Sequence, residues 1–189
     1  MKHFILLLFL SFSLNAAEFN IDTKNSVLKW TGKKVSGEHN GTISLRSGKI
    51  KMLGDDLNGG EFIIDMQTIK CDDITNEKYN KKLVNHLKSA DFFNVEKFNT
   101  AKLVIKNSSL GKGGHYDVLA DLTINGVTKP IGFKAQILKN KEATVLTSNI
   151  EIDRTLWGIK YKSKSVFKDL ADNFIYDKFR LDVKVMAKK

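Results

Sequence analysis

Apolar and polar residues alternate along much of this chain. The clearest run is Tyr116–Ile124, in which every second residue from Tyr116 onward is apolar and most of the others are polar. A period of two is typical of a β-strand with one face against a core. Similar but mostly weaker alternation occurs at Val27–Gly32, Gly41–Met52, Glu61–Ile69, Lys102–Lys106, Phe133–Leu138, Ala143–Ile152 and Phe179–Val185. The pattern predicts about eight to ten antiparallel strands.

Turn-forming residues separate these runs, and one of the turns is diagnostic. Asn125-Gly126 lies between two alternating runs. Asn-Gly is the typical central pair of a tight hairpin turn, because both positions need a positive φ. We therefore predict that the strands on either side of this pair form a β-hairpin.

One segment has a different period. Over residues 76–89 the β-branched residues become rare, and Tyr79, Leu83 and Leu87 recur at a spacing of four. This spacing predicts an α-helix of about three turns, with polar residues just before it as capping groups. A second, shorter helix is predicted over Ser165–Ala171.

The arrangement predicts a single all-β domain with one inserted helix. The chain shows no linker, no shift in composition and no internal repeat that would divide it. A set of about eight antiparallel strands can close into a barrel, which removes its exposed edges, or can split into a sandwich. Periodicity alone does not distinguish the two architectures.

The first residues have the anatomy of a secretory signal peptide. Lys2 gives a positive start, Phe4–Phe12 is an almost uninterrupted apolar run, and the small residues Ala16 and Ala17 follow. The run is shorter than the roughly 20 residues that cross a bilayer. We therefore predict a signal peptide over residues 1–17, a mature domain over residues 18–189, and export to the periplasm.

Charge and cysteine content restrict the partners. The 189-residue chain has 31 Lys and Arg against 21 Asp and Glu, a formal net charge of +10. Such an excess suits nucleic acid, an anionic membrane surface or an acidic ligand, and export makes nucleic acid an unexpected partner. We also expect no transmembrane segment in the mature chain. Cys71 is the single cysteine, so it is either free or bridges two chains.

The sequence contains no recognisable catalytic or metal-binding pattern. Outside the signal peptide the histidines are His39, His86 and His115, and their spacing does not place two ligands on one face of a strand or helix. No nucleophile motif is present. We therefore expect no catalytic residue, no metal and no cofactor.

The apolar positions allow two kinds of interior. Twelve Phe residues are present, and many lie on the apolar face of predicted strands. They can fill a barrel completely, or they can line a cavity for an apolar ligand. A lipid chain in such a cavity would gain on the order of 10 kcal/mol from burial, before the cost of ordering it.

Five segments in matching order resemble the YceI family of polyisoprenoid-binding, lipocalin-like periplasmic proteins. They are residues 26–41, 57–69, 86–93, 121–129 and 153–161. The third reads HLKSADFF, the fourth DLTINGVTK and the last DRTLWGIKY, which is similar to the R-x-x-[FYW]-G-I-x-Y run of one branch. The departures are small: Asn99 stands where a proline is frequent, and the loop at 111–114 is rich in glycine.

The resemblance implies an extended eight-stranded antiparallel barrel with the helix packed beside it. It also implies a long tunnel for a prenyl or fatty chain, a periplasmic location and frequently a homodimer. No catalytic residue is carried over, because the family has no established one.

The apolar faces of the strands and the resemblance together give the predicted ligand-binding residues. The candidates are Phe62, Ile64, Met66, Val118, Ala120, Leu122, Phe133, Ile137, Trp157, Phe179 and Leu181. Each of them can instead belong to an ordinary core, since an error of one residue in strand register turns a whole strand around. Trp157 can line the tunnel or plug one end of the barrel.

His39 and Arg154 are the candidates for contacting a ligand head group. In the alternative interpretation, Arg154 pairs with an acid such as Asp153 or Asp91, and His39 bonds to turn backbone. His86 and Asp91 are expected to anchor the end of the helix.

The leading interpretation is an exported protein that carries a long isoprenoid or fatty-acid-like chain in its barrel, without catalysis. The main alternative is a periplasmic stress or interaction protein with a barrel filled by side chains. A lipid-modifying enzyme that uses His39 or His86 is the third.

Overall fold

The computed structural model describes residues 16–140, 142–167 and 169–188. The predicted signal peptide lies outside the described residues except for Ala16 and Ala17. An α-helix, α1, spans Glu77–Lys88, and 3-10 helices span Met66–Thr68 and Arg154–Trp157. The nine strands of the described residues are β1 Ala17–Asn20, β2 Val27–Lys34, β3 Gly37–Leu53, β4 Asp56–Asp65, β5 Thr100–Leu110, β6 Tyr116–Ile124, β7 Val127–Lys139, β8 Ala143–Asp153 and β9 Ile175–Lys188.

Eight of these strands close into a barrel. Each strand from β2 to β9 pairs antiparallel with its neighbour in the chain, and β9 returns to pair with β2. The short strand β1 pairs with the far end of β3. This architecture confirms the predicted eight-stranded antiparallel barrel with one helix, and it decides between the barrel and the sandwich.

The longest strand, β3, keeps its apolar residues inside by means of a bulge. Ile43 and Leu45 are buried on odd positions, whereas Ile50 and Met52 are buried on even positions. The pairing with β4 shifts between Leu45 and Ser47. One extra residue at a bulge reverses the alternation, so both halves of β3 present apolar side chains to the interior.

The predicted hairpin is confirmed at Asn125-Gly126. Ile124 pairs with Val127, and the two residues between them have φ values of 50° and 73°. Two consecutive positive φ values are the requirement that favours Asn-Gly at this turn.

Helix α1 also forms as predicted, and it is capped by Asn76. The Asn76 side chain accepts a hydrogen bond from the Tyr79 amide, and the Ser89 amide bonds back to the His86 carbonyl. No residue of α1 is buried. Tyr79 is 62% exposed, so the contact with the barrel depends on the later turns of the helix.

The predicted second helix over Ser165–Ala171 is wrong. The described residues of this segment form turns. The Phe167 amide bonds to the Ser163 carbonyl, and Ser163 itself forms a bridge with Ile175 at the start of β9. Ala171 has a left-handed φ of 44°, which an α-helix does not accommodate. This bridge connects a residue just before the segment to the start of β9.

In the part of the chain that the structure describes, no helix is long and apolar enough to cross a membrane.

Candidate ligand-binding cavity

A cavity of about 440 Å³ occupies the part of the barrel interior that lies under α1. Leu83 and Leu87 of α1 contact it, as do Phe92 and Phe93 just after the helix. Seven barrel strands contribute apolar wall residues, and the deepest one on each strand is, in chain order, Trp30, Ile43, Ile64, Ala101, Leu122, Ile152 and Leu181. The volume falls within the usual range for small-molecule sites.

The structure brings five of the eleven predicted ligand-binding residues to this cavity: Ile64, Met66, Leu122, Phe179 and Leu181. The other six do not line it: Phe62, Val118, Ala120, Phe133, Ile137 and Trp157. All six belong to the hydrophobic core or pack against it. Those on the strands point inward as predicted, but they lie deeper in the barrel, where side chains fill the interior. Val118 and Phe133 also line a separate depression of about 420 Å³ near β5, which has polar residues such as Asn107, Asp117 and Lys134 in its lining.

Trp157 fills a gap between strands. β7 pairs with β8 only from Ala135 onward, so the first part of β7 has no partner on that side. Trp157 is 2% exposed, and its Nε1 donates to the Leu122 carbonyl at 3.1 Å. Trp157 does not line the cavity, and a role as a plug of one end of the barrel stays a prediction.

Arg154 lies in the cavity wall with most of its donors already engaged. It is 4% exposed. Its guanidinium donates to the carbonyls of Ile159 at 2.9 Å, Ile175 at 3.0 Å and Tyr176 at 3.2 Å. Nη2 lies 3.5 Å from Asp177 Oδ1, so the acid partner is Asp177 and not Asp153 or Asp91 as expected.

The electrostatics of this pair follow from its position. Burial lowers the pKa of Arg154, and the charges of Asp177 and Asp153 act in the opposite direction. Burial alone would raise the pKa of Asp177, but the hydroxyls of Ser163 and Ser165 and the Arg154 charge outweigh it and lower this pKa. Arg154 therefore joins the end of β8 to the start of β9, and head-group contact by it stays a prediction.

His39 also lines the cavity, near its opening. Its Nδ1 lies 2.8 Å from Asp73 Oδ2, so its partner is a carboxylate and not the turn backbone. Asp73 Oδ1 accepts the Asn40 amide at 2.9 Å and the Cys71 thiol at 3.3 Å. Burial raises the pKa of Cys71, which keeps the thiol protonated at neutral pH. A buried thiol of this kind is poorly placed to bridge two chains.

Asp73 is expected to make part of the stability of the protein depend on pH. Burial alone would raise its pKa, but hydrogen bonds from His39, the Asn40 amide and Cys71 lower it overall. A carboxyl with a lowered folded-state pKa stabilises the fold above its unfolded pKa of about 3.9, and this contribution is lost as the pH falls through the folded-state pKa. Asp73→Asn should therefore be less stable than the natural protein at neutral pH, with a difference that shrinks in acid.

Urea unfolding from neutral pH down to about pH 3 measures this difference. Asp72→Asn is the matched control, because it removes one carboxylate from the same loop without removing these hydrogen bonds. A constant difference between the natural protein and Asp73→Asn over the whole range would contradict the assignment.

A second histidine–aspartate pair, as expected, anchors the end of α1. His86 Nε2 lies 3.1 Å from Asp91 Oδ2. The imidazole makes edge contacts with Phe92 and Tyr161, at centroid distances of 4.9 Å and 4.6 Å. His86 also lines the cavity, so sequence reasoning placed the pair correctly but missed the contact with the site.

Lysines stand at the opening of the cavity. Lys33 and Lys34 end β2, Lys162 follows the Arg154–Trp157 turn, and all three line the site beside the single acid Asp172. The cavity thus has apolar walls and a basic opening. Alternation could not indicate these lysines, because they lie where the strand leaves the barrel.

Among the described residues, no group of three His, Cys, Asp or Glu side chains is placed to hold a metal ion.

A closed antiparallel barrel with an apolar cavity defines a class of small barrels that can enclose one ligand. The family of YceI-like domains matches residues 19–187, and the chain belongs to this family. A UPF0312 protein of Vibrio vulnificus strain YJ016 is 30% identical over 143 residues, which cover 70% of this chain and 69% of the relative. Protein YceI of Salmonella arizonae is 42% identical over a shorter stretch of 53 residues, 28% of this chain and 27% of the relative.

Solved structures share the fold at low sequence identity. BcnA of Burkholderia cenocepacia has a TM-score of 0.71 at 17% identity, covering 89% of this chain and 99% of its own. A polyisoprenoid binding domain from Saccharophagus degradans, implicated in plant cell wall breakdown, has a TM-score of 0.64 at 12% identity, covering 92% of this chain and 99% of its own.

Proposed function

We propose that this protein is an exported carrier that holds the apolar chain of an isoprenoid or fatty-acid-like amphiphile inside its barrel and catalyses no reaction. The observation that carries the proposal is the cavity, which has apolar side chains from seven strands as its wall. Family membership and the likeness to a polyisoprenoid binding domain support the same ligand class. A barrel filled throughout by side chains, the main alternative, does not account for the cavity.

The head of the ligand is proposed to be acidic and to lie at the opening. Lys34 and Lys162 supply positive charge there, Lys33 is paired with Glu38 at 3.5 Å, and His39 adds a polar ring. Charges in a partly enclosed opening attract an anion more strongly than charges on an open surface. The net charge of +10 acts in the same direction.

Export to the periplasm follows from the predicted signal peptide. A protein that shields an apolar chain from water has an evident use in a compartment between two membranes. Three polar side chains of the site are engaged in structural pairs, His39 with Asp73, His86 with Asp91 and Arg154 with Asp177. These pairs support binding without chemistry.

The test is native mass spectrometry of the protein purified from the periplasm of its own cells, followed by extraction and identification of any released compound. The proposal expects a complex with one molecule that has a prenyl or acyl chain. Because a transient cargo can be lost during purification, direct binding to the apo protein is the second measurement.

Trp30 allows that second measurement to be specific for the cavity. It lines the wall, whereas Trp157, the other tryptophan, does not. A fatty acid brominated on its chain should therefore quench the fluorescence of the natural protein and have little effect on Trp30→Phe. Its methyl ester should bind more weakly, because it lacks the charge. An apo mass together with no quenching in the natural protein would refute the proposal.

A further inference from the structure

We infer that a layer of packed side chains limits the chain that the cavity accepts to about three isoprene units or a palmitoyl-like acyl chain, a depth of about 20 Å along the strands. The inference rests on the proposed function and adds the length of the ligand. It differs from the expectation of a long tunnel, because the interior of this barrel is divided into an open part and a filled part.

The boundary between the two parts lies at the same step on each of the seven lining strands. On every strand the inward residue two positions deeper than the wall residue no longer lines the cavity. We call this set the floor, and it consists of Leu28, Leu45, Phe62, Leu103, Ala120, Ile150 and Val183.

Floor residues on neighbouring strands lie side by side, and all seven belong to one apolar cluster or pack against it. Phe62 is the direct register partner of Leu103, and Leu28 is the direct partner of Val183. Six of the seven are buried, and Val183 packs against the same cluster. A chain that enters past Ile64 or Leu122 therefore meets packed side chains one step further down.

Phe62 is the bulkiest floor residue, and its ring is held in place. A Cβ atom on Gly48 would lie 3.1 Å from the Phe62 ring, and one on Gly60 would lie 3.3 Å from it. The ring thus lies directly against the backbone of the two glycines that flank it on β3 and β4. Close packing on these two sides limits how far the ring can move to admit a longer chain.

The lined depth gives the length. On β9 the cavity is lined from Ile175 to Leu181, and a strand rises about 3.3 Å per residue, so the lined depth is about 20 Å along the strand. A longer chain must leave its excess carbons outside the opening, where they stay in contact with water. Affinity should therefore rise with chain length until the cavity is full and then stop rising, because only buried apolar surface contributes to binding.

Two series of ligands test the inference through the fluorescence of Trp30 and isothermal calorimetry. The first contains geraniol, farnesol, geranylgeraniol and a prenol of eight isoprene units, and the second contains lauric, palmitic, stearic and behenic acids. We expect at least a tenfold gain in affinity from geraniol to farnesol and from lauric to palmitic acid, and less than a threefold gain beyond. The series with the higher affinity shows whether the chain is prenyl or acyl.

A further tenfold gain for the eight-unit prenol or for behenic acid would overturn the limit on length and leave the proposed function intact. Failure of both series to bind would instead refute the proposed function.

Phe62→Ala tests the floor itself. Removing the ring opens space below Ile64, so geranylgeraniol should bind to this variant at least tenfold more tightly than farnesol. Phe133→Ala is the matched control, because it deletes the same ring from an inward position below the floor and should keep the natural length profile. Phe62→Leu is the substitute if the alanine variant does not fold. A folded Phe62 variant that keeps the natural length profile would overturn the inference.

Discussion

Replacing Arg154 with methionine is expected to lower the free energy of unfolding by about 3–5 kcal/mol. The guanidinium donates to three backbone carbonyls and lies 3.5 Å from the Asp177 carboxylate. Methionine keeps much of the side-chain volume but leaves those groups without their donor. Breaking a buried pair from one side is costly because the remaining charge stays buried. Urea unfolding at neutral pH measures the change.

Two further variants separate burial from simple loss of charge. Arg46→Met removes an arginine whose side chain is 44% exposed and pairs with Asp65, so it should cost at most about 1 kcal/mol. The double variant of Arg154→Met with Asp177→Asn should be more stable than Arg154→Met alone, since no unpaired carboxylate remains. A loss of less than about 1 kcal/mol in Arg154→Met would show that the pair does not hold β8 and β9 together.

Replacing Trp157 with alanine is expected to cost about 3–5 kcal/mol as well, for a different reason. The indole closes the gap where β7 and β8 separate, and its N–H bonds to the Leu122 carbonyl. Truncation leaves a void in the wall and a buried acceptor without a donor. The melting temperature and the urea midpoint should both fall.

Binding distinguishes a plug from a residue of the ligand site. Because Trp157 does not line the cavity, folded Trp157→Ala should keep its affinity for palmitic acid within about threefold of the natural value. Trp157→Phe, which keeps an aromatic ring but has no N–H, should lose less stability than the alanine variant. A loss of affinity greater than tenfold in a folded alanine variant would place the indole in the binding site.

The local pattern of apolar, polar and turn-forming residues was sufficient to predict most of the strands and the helix α1. The alternation at Tyr116–Ile124 coincides with β6, and the Asn125-Gly126 pair marked a real hairpin. Alternation did not decide between barrel and sandwich, because closure depends on the pairing of β2 with β9, which are far apart in the chain. The resemblance to a known family supplied that information.

The sequence could not predict how deep in the barrel an inward residue lies. Alternation assigns Phe62 and Ile64 to the same face of β4, and both do point inward. Only Ile64 meets the cavity. Whether an inward residue meets the cavity or the packed core depends on which side chains the other strands place beside it. The alternation within a single strand carries no information about those side chains.

Partners distant in the sequence were missed for a related reason. Arg154 pairs with Asp177 and His39 pairs with Asp73, each across more than twenty residues of chain. The two acids that the sequence suggested for Arg154 are engaged elsewhere, Asp153 with the Thr155 amide and hydroxyl and Asp91 with His86. Proximity along the chain was a poor guide once the strands had closed into a barrel.

The seam of the barrel, which is the pairing of β2 with β9, also determines at which stage of folding the cavity forms. All other neighbouring strands of the barrel are consecutive in the chain, whereas this seam joins positions such as Trp30 and Leu181. Bringing its two edges together carries the largest loop-closure entropy of any pairing in the barrel, unless the intervening strands have already formed. Trp30, Phe179 and Leu181 of the cavity wall lie on these two strands. The binding site therefore forms only when β9 has paired with β2. A fragment that ends before β9 can form a sheet, but it cannot form a closed barrel with a cavity.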